Sequence, residues 1–317
     1  MILGPSVLTG PQPTPTPKNT ATPAKKDDDV ITVESALVPI PVSVLDANGR
    51  AVTNLKLEDF ELRVDGKVVN IDEMARSETP IRLAMLFDNS SSVLIARDFE
   101  KDAAVKFFRR VIRPDRDLAA LFSVADYTRL EQPLTKDVSM LTHAIDTFPP
   151  PEGATALLDG IIQVTEYLKS TEGRRVVVIV SDGEDTSSDL ATTLENVVKA
   201  LQLHNCQVYV VKTTEFENFK RTGVRGGNAN LRQLAAERRM LEIAQQTGGS
   251  VHSPITEDEM NEAFKQISAD LSQQYILSYY PDDPAEKRGE FRSISVTIKS
   301  KPGLSVRTRK GYYVPKK

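Results

Sequence analysis

Two short apolar runs, Leu83–Phe87 and Val176–Val180, limit the fold more than any other part of the sequence. Neither alternates apolar with polar residues. A strand with one wet face would alternate, so each run reads as a strand buried on both faces, as in a parallel sheet covered by helices. Each run also leads to a carboxylate: Asp88 follows Phe87, and Asp182 follows Val180 after one serine. Open α/β sheets place their ligands at the carboxyl ends of such strands.

The surroundings of these runs alternate strand and helix from residue 81 to 273. Ala104, Phe107, Phe108 and Val111 share one helical face. Residues 117–125 read as a strand, and TRLEQPLT, 128–135, as a short edge strand before a helix near 137–147. Leu157, Ile161, Val164 and Leu168 stand at helical spacing, as do Leu194, Val197, Val198 and Leu201. CQVYVVKT is a further strand, and the helix after it stops at Gly248-Gly249. Met260, Phe264, Ile267 and Leu271 mark the last helix. This order predicts a doubly wound, mostly parallel sheet with helices on both faces.

The flanks have a different character. Residues 31–80 are rich in β-branched residues, with turn signals at Asn48-Gly49 and Asp65-Gly66. Pro39 and Pro41 suggest an edge strand, because proline has no N–H for a ladder. After Gln274, the segments QYILSYYP, FRSISVTIKS and LSVRTRKGYYV read as three strands, the last two joined at Lys301-Pro302-Gly303. About 50 residues are too few for a core of their own. The expectation is that residues 31–80 and 274–317 together make a discontinuous β-sandwich-like domain, with residues 81–273 inserted in it. Residues 1–30 include PQPTPTPKNTATPAKKDDDV, which has too little apolar surface for a core and reads as a disordered tether.

Charge narrows the partners. The net charge is −4, with no basic stripe, so nucleic acid is not an expected partner. No stretch approaches the roughly 18 apolar residues of a membrane span. The first ten residues lack both a basic start and a long apolar run, so no complete signal peptide is visible. Cys206 is the one cysteine, which excludes an internal disulfide framework, and a buried thiol is its default role.

The candidate site is a set of oxygen side chains. Asp88, Ser90 and Ser92 follow the first buried strand, Thr155 stands at the start of a helix after Gly153-Ala154, and Asp182 follows the second buried strand. An isolated Asp-x-Ser-x-Ser is most often a turn or a helix cap. Thr155 and Asp182, at the same sheet edge in a doubly wound fold, change that reading. Two carboxylates and three hydroxyls suit Mg²⁺, with Mn²⁺ or Ca²⁺ as alternatives, and suit zinc poorly.

These five residues, in order and spacing, resemble the metal-ion-dependent adhesion site of von Willebrand factor type A domains. The flanks are similar to a bacterial group of related proteins common in Acidobacteria. There VPIPVSVLDANGRAVTNLKLEDFELRVDG matches a VPVxVxDxxGxxVxxLxxxDFxxxxDG pattern, and YILSYYP and LSVRTRKGYY match YxLxYxP and GxxVRxRxGYY. The resemblance implies a Rossmann-like domain that binds and does no catalysis. It implies that Ser90, Ser92 and Thr155 lie nearest the metal, while Asp88 and Asp182 act partly through water. One coordination position is left for a carboxylate of a protein partner. Thr155 is then the ligand expected to change its contact on binding. In some relatives such changes couple to movement of the last helix, here about 257–272. With the tether, the resemblance also implies an extracytoplasmic location, periplasmic or secreted. It leaves the partner and the oligomeric state open.

Two other readings stay on the page. One is a Mg²⁺-dependent phosphatase or phosphotransferase with Asp88 as nucleophile. Such a site needs a second carboxylate two residues on, and position 90 is serine. The other is a structural subunit of an envelope complex with a fixed partner. Ser-His-Asp hydrolysis has no support, since GxSxG is absent and His143, His204 and His252 have no evident partners. TGVRGGNAN, 222–230, lacks the ending of a phosphate loop. It reads as a connector that follows a strand and flanks the metal edge. Glu184, Asp185 and Asp189 could raise cation affinity, but the simpler expectation is that Ser188 or Asp189 caps the next helix.

Overall fold

The computed structural model describes Met1 and residues 37–76, 79–94, 97–226, 230–281, 289–299 and 303–314. Every strand and helix belongs to the compact unit formed by residues 35–317. The expected tether over 1–30 lies outside the described residues, Met1 apart. So does the Lys301-Pro302 half of the last expected joint.

The N-terminal strands are β1 (Val38–Leu45), β2 (Phe60–Val64), β3 (Lys67–Val69) and β4 (Glu73–Arg76). The α/β part follows as β5 (Ile81–Asp88), α1 (Arg97–Val111), β6 (Leu118–Val124), β7 (Thr128–Thr135), α2 (Val138–Asp146) and α3 (Leu157–Leu168). It continues with β8 (Arg174–Ser181), α4 (Leu194–Leu203), β9 (Cys206–Lys212), α5 (Thr214–Thr222), α6 (Leu231–Thr247), β10 (Val251–His252) and α7 (Glu257–Gln273). The chain ends in β11 (Tyr275–Tyr279), β12 (Phe291–Ile298), β13 (Ser305–Thr308) and β14 (Gly311–Tyr313).

The central sheet has the order β10-β9-β8-β5-β6-β7. All its pairs are parallel except β6 with β7, which is antiparallel and carries register shifts near Leu121. From β5 the chain moves to β6 on one side and later to β8 on the other, so the order reverses between β5 and β8. The two apolar runs are the adjacent central strands of the sheet. Their side chains alternate between two cores. Leu83, Met85, Phe87, Val176, Val178 and Val180 pack with α1, α2 and α7. Ala84, Leu86, Val177 and Ile179 pack with α3, α4 and α6. Each fully buried Val, Leu or Ile contributes roughly 1.5–3 kcal/mol. That explains why neither run has room for a polar residue before its end.

The helices have local signals at their ends. Thr256 caps α7 by accepting from Glu259 N at 3.3 Å, and three acidic residues fill its first turn. Asn230 and Gln233 form a reciprocal capping box on α6. That helix stops at Gly248, whose φ of +81° is left-handed. The backbone of Thr308 and Arg309 lies where a Cβ at 248 would stand, so the stop also seats β13.

Strands before residue 77 pair with strands after residue 274 in two antiparallel sheets, β13-β1-β11-β4 and β14-β12-β2-β3. Ile40, Val42, Leu62, Tyr275, Leu277, Ile294 and Tyr312 contribute to one shared core. Tyr275 Oη donates to Val52 O at 3.0 Å and accepts from Leu55 N at 2.9 Å, which satisfies a buried hydroxyl.

Three expectations need correction here. β1 is an internal strand, despite its prolines. It pairs with β11 over Val38–Val42 but with β13 only over Val42–Leu45, so the proline half is open on one side. On that side the carbonyls of Pro39 and Pro41 accept from Arg309 Nη2 and Thr308 Oγ1. LSVRTRKGYYV is two strands, since the chain leaves one sheet after Thr308 and enters the other at Gly311. TGVRGGNAN follows helix α5, with no direct link to strand β9, and residues 227–229 within it lie outside the described residues.

Candidate metal centre

β5 and β8 run parallel with Phe87 opposite Val180. One step on, this register sets Asp88 beside Ser181. Ser181 Oγ donates to Asp88 Oδ2 at 2.6 Å and accepts from Gly183 N at 3.0 Å. Asp88 Oδ1 accepts from Ser90 N at 2.9 Å, an Asx-type turn that folds the next residues back over the strand end. Ser90 Oγ and Ser92 Oγ come to 2.9 Å of each other. Asp88 and Ser90 are buried, while Ser92 is exposed.

Thr155 arrives on the loop before α3. Glu152 N donates to Asn89 O at 3.0 Å, and Ser91 N donates to Gly153 O at 3.3 Å, which ties this loop to the serine turn. Gly153 has φ +77°, and the Asp126 carboxylate occupies the place of its missing Cβ. That carboxylate accepts from Ala154 N at 2.9 Å. Thr155 in turn holds the third loop: its N–H donates to Thr186 Oγ1 at 3.0 Å, and its carbonyl accepts from Thr186 N and Ser187 N. In that loop Asp182 Oδ1 accepts from Glu184 N at 2.8 Å. The three loops are thus hydrogen-bonded in sequence around one sheet edge, and all five expected residues stand on them. The Thr155 hydroxyl and Asp182 Oδ2 have no hydrogen-bond partner among the described residues.

Asp185, Ser188 and Asp189 have another task. Asp185 Oδ1 accepts from Leu158 N, and Ser188 Oγ accepts from Asp159 N, so both serve the first turn of α3. The cap of α4 is Thr193, which accepts from Asn196 N at 3.2 Å. The expectation that Ser188 or Asp189 caps the next helix is therefore wrong. The loop folds back onto the preceding helix, whose own N-cap, Ala156, has no side-chain acceptor.

The electrostatics are one-sided. Burial pushes the Asp88 carboxyl up to about 6, and the neighbouring Asp182 adds to the rise, against the pull of the Ser181 and Ser90 hydrogen bonds. Sequence reasoning missed two carboxyls that feel the charges of Asp88 and Asp182. Glu100 on α1 and Glu217 on α5 are both raised, first by burial, with Asp88 and Asp182 among the further causes. Glu217 is pushed up to about 8 and accepts from Thr213 Oγ1 at 2.7 Å. Glu100 is 1% exposed, and its Oε1 has no partner among the described residues. Among the described residues, none of these four carboxyls forms an ion pair. Glu100 stands one turn before Ala104 and Phe107 on the apolar stripe of α1, so a carboxylate interrupting that stripe was its available signal.

Such an edge fits a hard divalent cation. The donors are all oxygen, two of them carboxylates crowded enough to raise a pKa, with one carboxylate oxygen and one hydroxyl left free. Among the described residues no three His, Cys, Asp or Glu side chains gather into a metal cage. The histidines lie elsewhere: His204 is beside Glu166, and His252 Nε2 is 3.0 Å from Ser250 Oγ. Cys206 is buried, which pushes its thiol up to about 12 and leaves it inert.

No curated protein matches the chain. Among solved structures, the PilB minor pilin from Streptococcus sanguinis is similar at 13% identity, with a TM-score of 0.47 over 63% of this chain and 62% of the pilin. The chain therefore spans less than two thirds of that relative. BatB from Bacteroides thetaiotaomicron is similar at 15% identity, with a TM-score of 0.45 over 60% of this chain and 98% of its own. Proximal thread matrix protein 1 from the mussel byssus, with a zinc-occupied MIDAS motif, is similar at 17% identity. Its TM-score is 0.49 over 66% of this chain and 49% of its own. The von Willebrand factor type A domain model matches residues 83–266, more than half of the sequence, and the chain belongs to that family.

Proposed function

We propose that the chain binds a protein partner through a divalent cation, Mg²⁺ by preference, held by Asp88, Ser90, Ser92, Thr155 and Asp182. The observation that carries this reading is the convergence of buried, unneutralised carboxylates with free oxygen donors at the switch point of the sheet. Ser90, Ser92 and the free Thr155 hydroxyl would be the close ligands. The cation supplies positive charge beside carboxyls that form no ion pair among the described residues. With few direct protein charges on it, it attracts an acidic side chain from the partner. Asp88 is poorly placed as a nucleophile, because both of its oxygens accept hydrogen bonds. Position 90 offers no general acid, so the reading is binding without catalysis.

The Pro/Thr-rich start of the chain supports a site of action outside the cytoplasm. Among the described residues no helix is long and apolar enough to cross a membrane. The test is a pull-down from the native envelope fraction with wild type and Asp88→Ala, in Mg²⁺ and in EDTA. The proposal expects a partner retained by wild type in Mg²⁺ alone. Retention that survives both EDTA and Asp88→Ala would instead indicate a structural subunit with a fixed partner. Turnover of a phosphorylated model substrate, lost in Asp88→Asn, would overturn the non-catalytic reading.

A further inference from the structure

At the N-terminal ends of β8 and β9, opposite the metal edge, lies a cavity of about 300 Å³. It is bounded by the start of β8, the end of α4, the proline half of β1 and Ile276 of β11. Pro39, Pro41, Leu201 and Ile276 form its apolar wall. Arg174, Arg175 and Arg309 also line it, and no Asp or Glu does so among the described residues.

Arg309 is the most unusual of these. It is 6% exposed and lies in the break between β13 and β14. Its Nη1 donates to Asn205 Oδ1 and its Nη2 donates to Pro39 O at 2.8 Å, while the buried Nε has no partner among the described residues. The Tyr312 ring, 5.3 Å away, gives partial compensation. Among the described residues Arg175 donates only to the carbonyls of Leu168, Thr171 and His204. Both guanidinium groups are therefore balanced by neutral oxygens alone. Arg309 is buried and Arg175 partly buried, and a guanidinium withdrawn from water without a counter-charge is stabilised when an anion enters. A guanidinium fork matches a carboxylate in shape and charge. The volume is at the small end of the range for ligand sites. The apolar wall gives the rest of such a molecule a place to pack.

We propose that this cavity binds a small organic carboxylate, with its head at the arginine wall and a short hydrocarbon body against the prolines, Leu201 and Ile276. This assignment is independent of the metal edge. The probe is octanoate, titrated calorimetrically into the full chain, with 1-octanol and octylamine as the neutral and cationic counterparts. The expected result is one saturable octanoate site per chain, with both counterparts at least tenfold weaker. Arg309→Met should weaken octanoate at least tenfold. Arg175→Met, which leaves the Pro39–Arg309 strut in place, should do the same and carries the test if Arg309→Met does not fold. Absence of saturable octanoate binding, octanol binding as tightly as octanoate, or unchanged affinity in folded Arg175→Met would each overturn the proposal.

Discussion

The two ends of the central sheet carry opposite charge and handle it differently. At the carboxyl ends of β5 and β8, Asp88, Glu100 and Glu217 are raised by burial and by neighbouring carboxylates, and among the described residues neither they nor Asp182 forms an ion pair. At the amino ends, Arg174 donates to Leu271 O at 2.8 Å and to the Gln274 side chain, in a network that also reaches Tyr209 and Asp270. Asp270 completes that network with an ion pair to Arg307 of β13. The amino-end charges next to α7 are thus bound into the fold, and α7 is fastened to β9, β1 and β13. The carboxyl-end charges are left open. Charges that hold elements together, as the group next to α7 does, serve stability. An end whose charges repel, held only by loop hydrogen bonds, is prepared for something brought from outside.

If that contrast is right, substitutions at the two ends differ in sign as well as in size. The largest loss of stability falls at the amino end. Arg174→Met removes the donor that links β8 to the Leu271 carbonyl and the Gln274 side chain and should cost roughly 3–5 kcal/mol in urea unfolding. A cost under about 1 kcal/mol would mean that the network does not fasten α7.

At the carboxyl end the sign reverses. The Glu217 carboxyl is raised from 4.5 to about 8, so the stability it contributes is complete below 4.5 and is lost as pH rises through 8. In EDTA, Glu217→Gln should match wild type at pH 4 and exceed its stability at pH 9 by roughly 4–5 kcal/mol. Parallel pH profiles for the two proteins would contradict the account of uncompensated charge.

Ser181→Ala removes the hydroxyl that orients Asp88 Oδ2. It should cost about 1 kcal/mol of stability, together with a measurable loss of Mg²⁺ affinity in calorimetry. The smallest stability effect belongs to Thr155→Ala, because its hydroxyl bonds to no described residue. Its unfolding midpoint should stay within about 0.5 kcal/mol of wild type, while Mg²⁺-dependent partner binding is lost. A Thr155→Ala protein that keeps both metal affinity and metal-dependent binding would remove Thr155 from the site.

The same contrast explains what could be read from the sequence. The placement of the five candidate residues at one sheet edge was legible because polar groups end unbroken apolar runs or open a helix, and the cores on either face of the sheet follow from the same runs. Ser181 was hidden inside its run, where a small hydroxyl reads as filler before Asp182. Helix α5 is a single short element between β9 and the glycine-rich stretch, too brief for a clear apolar period. Arg309 and Lys310 sit in a segment with continuous strand character, so the change of sheet left no mark in its pattern. Pro39 and Pro41 did report an open strand side, but only half a strand of it. Side chains that act across long sequence separations, such as Arg309 on Pro39 or Asp185 on α3, have no local signal at all.

The central claim is that the open carboxyl end holds a divalent cation on the five named residues. Calorimetric titration of Mg²⁺ into the metal-free chain tests it most directly, with Asp88→Ala and Asp182→Ala alongside. The account predicts one Mg²⁺ per chain, with affinity falling at least tenfold in each variant and a rise in wild-type unfolding midpoint on binding. No saturable Mg²⁺ binding by wild type, or equal binding by all three proteins, would contradict it.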